Sequence, residues 1–216
     1  VLGAFFAIIV VKQLYGGLGQ NFMNPALAAR CFLLTSFALF MNNFSSAKLG
    51  FDSLTGATPL AQLRAGETVD LASLVIGRIP GTIGEVSVIA LLIGAIYMVV
   101  RKVISPVIPV TYLATAAVLS ALLGRDPLMD ILSGGFLLGA IFMATDYTTS
   151  PINFSARVIY AVGCGVLTIL IRQFASLPEG VSYSIVLMNI LVPLIERVAK
   201  PQTFGKMKAK KAGDAK

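Results

Sequence analysis

Seven apolar runs of helix-like length constrain this chain more than any other feature of its sequence. A bilayer is spanned by about 20 consecutive apolar residues in an α-helix, and most of these runs approach that length. Only 12% of the residues are charged, which is about half the fraction in an average soluble domain. The sequence therefore predicts an all-α integral membrane protein with about seven transmembrane helices. They are expected at residues 1–11, 26–44, 86–100, 103–123, 131–144, 152–171 and 181–195.

The basic residues indicate how these helices are oriented. Six of the seventeen basic residues are lysines within residues 200–216, and the net charge of +7 therefore reflects topology rather than nucleic-acid binding. Lysine and arginine accumulate on the cytoplasmic side of membrane proteins, so this tail is expected there. Counting helices back from the tail also places Lys12, Arg101 and Lys102 in the cytoplasm, whereas residues 45–85 lie outside. Two single arginines on the outer side depart from this rule, Arg125 and Arg172.

Composition excludes several kinds of redox and metal site. The sequence contains no histidine, which excludes bis-histidine haem, His-ligated zinc and a histidine general base within this chain. The two cysteines, Cys31 and Cys164, each lie alone in an apolar run and are interpreted as small buried residues. An iron–sulfur cluster would need further thiolates from a partner chain.

The stretch LTGATPLA at residues 54–61 is the most distinctive part of the predicted outer loop. Thr58 followed by proline is typical of the N-cap and first residue of a short helix. Alternatively, the Thr58 hydroxyl, preceded by the small residues Gly56 and Ala57, is open enough to carry an attached group. Pattern alone favours the cap. Glu85, at the outer end of the third run, is interpreted as a surface carboxylate.

Two polar interruptions, at residues 15–26 and 144–151, are expected on the cytoplasmic side. Each ends in a small polar residue followed by proline, Asn24 in the first and Ser150 in the second, which predicts an N-cap and the start of the next helix. The similarity indicates an internal repeat, a common feature of transporter folds. Two ordinary capped turns would explain the same pattern.

Asp146 distinguishes the second interruption. A carboxylate at the end of an apolar helix is costly unless it is solvated or has a partner, and hydroxyl residues surround this one. Asp146 is therefore a candidate for ligand or ion binding. Gly135 and Gly139, four residues apart in the preceding run, permit close approach to another helix, and packing is their expected role.

Six short segments, in the same order along the chain, resemble one family of membrane proteins. This family comprises the D subunits of Rnf ferredoxin:NAD oxidoreductase complexes and the B subunits of sodium-pumping NADH:quinone reductases (the RnfD/NqrB family). The resemblance rests on the whole set, because a Gly-Ala-Thr motif alone is weak. The segments are KQLYGGLG at residues 12–19, NPA at 24–26, TGATPLA at 55–61, GTIGE at 81–85, GAIFMATD at 139–146 and EGVSY at 179–183.

The resemblance implies two flavin cofactors. FMN would be bound covalently to Thr58, through a phosphoester that a separate flavin transferase makes, and the small residues Gly56 and Ala57 would leave the hydroxyl accessible to that enzyme. Riboflavin would bind noncovalently near the cytoplasmic side. Its possible surroundings are the two interruptions, and neither a catalytic residue nor a metal site is expected. The riboflavin candidates are Asn21, Asn24, Thr145 and Asp146.

The family fold implied by the resemblance has ten helices in two five-helix halves and is related to urea channels. The first run is too short to span a membrane, and no charged leader precedes it, so we expect this chain to be the C-terminal part of that fold. Residues 1–44 would then end the first half, 45–85 would form the extracytoplasmic loop with the flavin, 86–199 the second half and 200–216 a basic cytoplasmic tail.

The implied function is that of a flavin-carrying subunit in a redox-driven ion pump, an oxidoreductase of the translocase class. Such a complex passes electrons from ferredoxin to NAD and moves Na+ or H+ outward across a bacterial or archaeal cell membrane. Its partners would be the other membrane and peripheral subunits, among them the G subunit as the second flavinylated member, together with the flavin transferase. A solute channel or transporter without a redox role and a passive anchor for soluble redox subunits are the alternatives.

Overall fold

The computed structural model describes residues 1–41, 45–46, 54–55, 58–66, 68–79, 81–82, 84–175 and 180–199. Most of these residues are helical, which confirms the all-α prediction for the described part of the chain. The exception is a short antiparallel pairing of β1 (Ser45–Ser46) with β2 (Leu54–Thr55). This pairing joins the chain on either side of residues 47–53.

The helices follow one another in the order that the apolar runs predict. The first, α1, runs over Leu2–Phe5, continues as a π-helix over Phe6–Lys12 and ends in a 3-10 turn at Gln13–Tyr15. The others are α2 (Pro25–Ser36), α3 (Ala38–Met41), α4 (Pro59–Arg64), α5 (Leu71–Ile76), α6 (Val88–Val100), α7 (Val107–Leu122), α8 (Pro127–Leu132), α9 (Phe136–Leu138, continued by a π-helix over Gly139–Met143), α10 (Phe154–Phe174) and α11 (Val181–Val198).

Two of these helices, α10 with 21 residues and α11 with 18, are long and apolar enough to cross a membrane. Four shorter apolar helices are α1, α2, α6 and α7. The runs predicted at residues 86–100, 103–123, 152–171 and 181–195 each form one helix, and the largest displacement of an end is from residue 103 to residue 107.

The run predicted at residues 26–44 is wrong as a continuous helix. Phe37 leaves the helical conformation, with φ −132° and ψ 43°, before α3 begins. Two residues earlier, the Thr35 hydroxyl donates to two backbone carbonyls of α2, at 2.9 and 3.0 Å, and such bonds often bend helices. Residues 42–44 lie outside the described part of the chain.

The run predicted at residues 131–144 is also wrong as a continuous helix. It divides into α8 and α9, and residues 133–135 between them form what we call the α8–α9 break. Gly134 and Gly135 have left-handed backbones there, with φ of 62° and 65°. Glycine adopts this conformation without steric cost because it has no Cβ atom. The packing role predicted for Gly135 is therefore replaced by a turn.

The largest cluster of buried side chains lies between α7, α10 and α11. On α10, buried residues recur every fourth position and so share one side of the helix. These residues are Tyr160, Cys164, Thr168 and Arg172. The buried position of Cys164 confirms its prediction as a small core residue, whereas Cys31 is half-buried.

The helix-packing role predicted for Gly139 is confirmed. A Cβ atom at this position would overlap Cγ1 of Val181, at the start of α11, so any side chain would force the two segments apart. The helix α2, which follows the first polar interruption, also packs on α11. The π-helical part of α9, which precedes the second interruption, packs on the same helix. The helix α11 thus links both interruptions to the core.

Candidate functional site

Thr58 is the N-cap of α4, as its pattern predicts. Its backbone is extended, with φ −64° and ψ 153°, and its Oγ1 accepts a hydrogen bond from the amide of Ala61 at 3.4 Å. This is the only hydrogen bond of the Thr58 hydroxyl within the described part of the chain, and the hydroxyl acts in it as an acceptor. The candidates Gly56 and Ala57 lie outside the described residues.

Leu60 attaches the start of α4 to the α8–α9 break. Its side chain is 1% exposed, and its Cδ2 would lie 3.0 Å from a Cβ atom added to Gly134. The same added atom would lie 3.1 Å from Nη2 of Arg172. Thr58 is therefore two residues from a side chain that packs on this break. Nothing in the local pattern of residues 54–61 indicated that contact.

Asn24 caps α2 in the first interruption, which confirms its predicted role. Its Oδ1 accepts hydrogen bonds from the amides of Ala26 at 3.0 Å and Leu27 at 3.3 Å, and Pro25 is the first helical residue. The side-chain oxygen of Asn24 is therefore already used by its own helix. Asn21 differs, because its Oδ1 is buried and has no hydrogen-bond partner within the described part of the chain.

The buried residue Asn189 ties the first interruption to the helical core. With its amide oriented to satisfy both ends, Asn189 Oδ1 accepts from the backbone N–H of Asn24 at 3.2 Å. Its Nδ2 then donates to the carbonyl of Ile185 at 3.3 Å and to Oη of Tyr160 at 2.7 Å. The entry into α2 is thereby held by both α10 and α11. Sequence reasoning did not identify Tyr160 or Asn189, because single polar residues in apolar runs carry no spacing signal.

Asp146 has partners within its own turn. Its Oδ2 accepts hydrogen bonds from the hydroxyls of Thr148 at 2.9 Å and Thr149 at 3.0 Å, and its carbonyl accepts from the amide of Ser150 at 2.9 Å. The neighbouring Thr145 hydroxyl donates to the carbonyl of Ile141 at 2.7 Å. Both candidates of the second interruption are thus engaged in local hydrogen bonds.

The cap predicted at Ser150 is wrong. The helix α10 begins at Phe154, and its N-cap position is Asn153, whose side chain donates to the carbonyl of Ala199 at 3.2 Å instead of capping its own helix. The amide of Ile152 donates to Oε1 of Glu196, at 3.0 Å. Contacts with the end of α11 therefore replace a local cap, and the resemblance between the two interruptions is only partial.

The riboflavin candidates of the two interruptions are held by separate sets of hydrogen bonds within the described residues. Among the hydrogen bonds of that part of the chain, none joins Asn21 or Asn24 to Thr145 or Asp146. A cavity of about 80 Å³ lies beside Thr145, whereas ligand pockets commonly measure about 300 Å³ or more. A riboflavin ring system does not fit inside it. The cavity is lined by Val103, Ile104, Ser105, Ile108, Thr145, Tyr147, Ser150 and Arg157.

The interpretation of Glu85 as a surface carboxylate is wrong. Its side chain is 7% exposed, and its Oε2 lies 3.6 Å from Nη2 of Arg30, a residue of α2. Its Oε1 accepts a hydrogen bond from the amide of Thr82 at 3.0 Å. A charge this buried needs a partner of opposite sign, and Arg30 supplies it from a helix more than fifty residues earlier.

Arg172, a residue of α10, binds the α8–α9 break. Its Nη1 donates to the carbonyl of Asp130, and its Nη2 donates to the carbonyls of Ser133 and Gly134, both at 3.0 Å. The residue is 2% exposed, and its Cζ lies 5.1 Å from the centre of the Phe136 ring. Arg172 is therefore an internal ligand of the break, which explains its departure from the charge rule.

Arg125 departs from that rule for a similar reason. Its Nε and Nη2 donate to the carboxylate of Asp130 at 2.8 and 2.6 Å, and its Nη1 donates to Oε1 of Gln173 at 2.9 Å. The hydroxyl of Ser120 also donates to this carboxylate, which is buried. The carboxylate and the carbonyl of Asp130 thus bind two different arginines.

Comparison with known proteins identifies the family. The model of the NQR2, RnfD, RnfE family matches residues 1–205. The chain is 49% identical to the D subunit of the Na+-translocating ferredoxin:NAD+ oxidoreductase complex of Acetobacterium woodii, over 100% of this chain and 69% of that protein. It is 38% identical to the D subunit of the proton-translocating complex of Clostridium ljungdahlii, over 94% of this chain and 67% of that protein. The chain therefore belongs to the NQR2, RnfD, RnfE family.

Proposed function

We propose that this chain is the flavin-carrying membrane subunit of a redox-driven ion pump, a complex that couples electron transfer from ferredoxin to NAD with outward movement of Na+ or H+. Relatives that cover nearly all of this chain are named as D subunits of such complexes, which supports this function. The proposed partners are the other membrane and peripheral subunits, among them the G subunit, and a flavin transferase.

The Thr58 hydroxyl carries the structural part of this proposal. Esterification by the FMN phosphate would remove the hydroxyl hydrogen, so a hydroxyl used as a donor would lose its bond on attachment. The Thr58 hydroxyl is used only as an acceptor within the described part of the chain, from the amide of Ala61. An ester oxygen remains an acceptor, so the α4 cap is compatible with attachment. Thr58 therefore fits covalent FMN.

The chain's own contribution to electron transfer is to hold the attachment point. Thr58 begins α4, and Leu60 packs that helix onto the α8–α9 break, which limits how far Thr58 moves relative to the membrane helices. FMN bound there would supply one- and two-electron redox chemistry, while the protein would set its position and electrostatic environment.

We narrow the riboflavin proposal to one residue of this chain, Asn21, as a contact of the cofactor. Asn24, Thr145 and Asp146 already use their side chains in local hydrogen bonds. Asn21 keeps a buried amide oxygen without a partner in the described residues, so it is the candidate with a free acceptor. The cavity beside Thr145 is too small to hold riboflavin by itself, so another protein of the complex would contribute to a pocket there.

The family resemblance also supports a finer architecture. We infer about seven membrane spans in this chain, as the C-terminal part of a ten-helix, two-repeat fold related to urea channels. Thr58 would lie outside the membrane, and residues 200–216 would lie in the cytoplasm. Both arginines that opposed this orientation bind groups of the protein, since Arg172 is buried against backbone carbonyls and the half-buried Arg125 pairs with Asp130, so they weigh less against it. The division at residues 44, 85 and 199 follows from the same resemblance.

In-gel fluorescence tests the flavin assignment. The protein is made together with its flavin transferase, denatured, separated on a gel and examined for flavin fluorescence. We expect a fluorescent band for the wild type and for Thr55→Ala, and none for Thr58→Ala or Thr58→Asn. Asparagine is a good N-cap without a hydroxyl, so Thr58→Asn keeps α4 while removing the attachment atom. A dark wild-type band would contradict the proposal.

The same variants separate the proposed function from its rivals. A solute channel or transporter predicts a protein without bound flavin and unchanged transport in Thr58→Asn. A passive anchor predicts that ion pumping driven by ferredoxin continues after this substitution. The pump function predicts that Thr58→Asn abolishes both the fluorescence and the redox-driven ion uptake of reconstituted complexes.

A further inference from the structure

The α8–α9 break and the end of α8 before it gather three backbone carbonyl oxygens around one buried cation. These are the carbonyls of Asp130, Ser133 and Gly134, and all of them accept hydrogen bonds from the Arg172 guanidinium. The last carbonyls of any helix lack partners within the helix, and α8 ends at Leu132 in a region that is buried from solvent. The Arg172 guanidinium satisfies the carbonyls that the break exposes.

Carbonyl clusters of this kind also bind free cations. Backbone carbonyl oxygens replace the hydration shell of monovalent cations in channels, and the ends of interrupted helices coordinate them in transporters. We propose that the α8–α9 break is a monovalent-cation site and that the guanidinium of Arg172 is its tethered resident. Without Arg172, the site would accept a free alkali cation or a guanidinium ion.

An independent observation points to a ligand at the same place. The Ser133 hydroxyl is fully buried and has no hydrogen-bond partner within the described part of the chain. Leaving a buried hydroxyl without a partner is costly, and the cost is recovered when a cation or its bound water takes up the oxygen. Ser133 thus offers a side-chain oxygen in addition to the carbonyl that already binds Arg172.

Aromatic and aliphatic side chains complete the surroundings of this cation. The face of Phe136 lies 5.1 Å from Cζ of Arg172, at a distance where an aromatic ring attracts a positive charge. Leu60 covers Gly134, and the tight contacts around Gly134 leave no room for another side chain. Since Leu60 is two residues after Thr58, the segment that carries the proposed flavin also covers the cation site.

A positive charge that is tethered at this site would block the passage of free cations through it. A free Na+ at this site could leave along a gradient, whereas the Arg172 charge is fixed to α10 and repels a second cation. Arg172 would therefore prevent passive cation leakage at the break. This barrier role rests on the proposed pump function, whereas the existence of the cation site does not.

Thermal unfolding of the purified full-length protein tests the site. We expect the melting temperature of Arg172→Ala to rise when NaCl or millimolar guanidinium chloride replaces choline chloride, because a ligand bound only by the folded state stabilises it. The wild type and Arg172→Lys should respond equally to all three salts, since a side-chain cation occupies the site. Arg157→Ala is the control, because Arg157 donates its Nε to one carbonyl, that of Pro151.

An Arg172→Ala protein that responds equally to the three salts overturns the proposal, and so does an Arg172→Lys protein that responds like Arg172→Ala. Where Arg172→Ala does not fold, Arg172→Gln replaces it. Glutamine is neutral and keeps an N–H donor for the carbonyls, so the same response is expected at smaller size. A flat response of Arg172→Gln would also overturn the proposal.

Passive Na+ uptake tests the barrier role separately. Complexes with wild-type or Arg172→Ala chains are reconstituted in vesicles and supplied with Na+ but no electron donor. We expect severalfold faster uptake for Arg172→Ala, suppressed by millimolar guanidinium chloride, and unchanged flavin fluorescence at Thr58. Equal uptake by the two proteins would overturn the barrier role. Loss of fluorescence in every protein would instead count against the flavin proposal and leave the cation site standing.

Discussion

The α8–α9 break and the first polar interruption differ in how the backbone groups at their helix ends are hydrogen-bonded. Both must satisfy backbone groups where a helix ends or begins inside a largely apolar fold. At the first interruption the side chain of Asn24 caps its own helix, with bonds two and three residues away. At the α8–α9 break the bonds come from Arg172, which is 38 residues from Gly134 and 42 from Asp130.

This difference shows which breaks a sequence reveals. An asparagine before a proline at the start of an apolar run marks a cap by itself, because the capping bonds are local. Residues 131–144 contain a Gly-Gly pair, which marks turns, but no local cap, because the residue that stabilises their break lies on another helix. The prediction therefore succeeded at Asn24 and failed at residues 133–135.

The largest expected effect comes from crowding the α8–α9 break. A Cβ atom at Gly134 would lie 3.0 Å from Leu60 and 3.1 Å from Arg172, at a backbone φ of 62°. We expect Gly134→Ala to lower the free energy of unfolding by about 2 to 4 kcal/mol, from left-handed strain and displaced neighbours together. Thermal or chemical unfolding in detergent measures this change.

Gly124→Ala is the matched control for that substitution. Gly124 has a φ of 71°, but nothing lies within 4 Å of an added Cβ atom. We expect a cost of about 1 to 2 kcal/mol from the backbone alone. Equal costs for the two variants would show that the contacts of Gly134 with Leu60 and Arg172 do not constrain the break.

An intermediate effect is expected at the local cap. Asn24→Ala should lower the free energy of unfolding by about 1 kcal/mol, because two amides of α2 lose their acceptor. Asn24→Ser should recover most of this loss. Ser150→Ala should change stability by less than about 0.5 kcal/mol, since Ser150 does not cap α10. Similar losses for Asn24→Ala and Ser150→Ala would mean that the two interruptions are equivalent after all.

A small effect on stability is also expected at Asp146. Its carboxylate binds the hydroxyls of the exposed Thr148 and the buried Thr149 within its own turn, so Asp146→Ala should cost about 0.5 to 1 kcal/mol. If Asp146 contacts the proposed riboflavin, this variant will lose riboflavin or ion transport while the proposed FMN remains on Thr58. Unchanged riboflavin content and unchanged transport would remove Asp146 from the site and leave it a purely local turn residue.

The Glu85 error has the same origin as the error at the α8–α9 break. A carboxylate next to an apolar run reads as a surface group, because nothing nearby in sequence reveals Arg30 as its partner. Gly135 and Gly139 also show that spacing in the sequence does not define the tertiary role of a residue. Both fit a small-residue spacing, yet one turns the chain and the other packs on Val181. Only the position of a neighbouring helix separates these two uses of glycine.

The sequence by itself determined the helical membrane architecture, the caps at Asn24 and Thr58, and the family to which the chain belongs. These features depend on hydrophobicity, on local hydrogen bonds and on short ordered motifs, all of which are written in adjacent residues. Tertiary structure alone decided the division of the fifth run, the burial of Glu85 and the contact between Leu60 and Gly134. Each of these depends on a partner supplied by another helix, because buried charges and exposed carbonyls are satisfied wherever the fold brings a complementary group close.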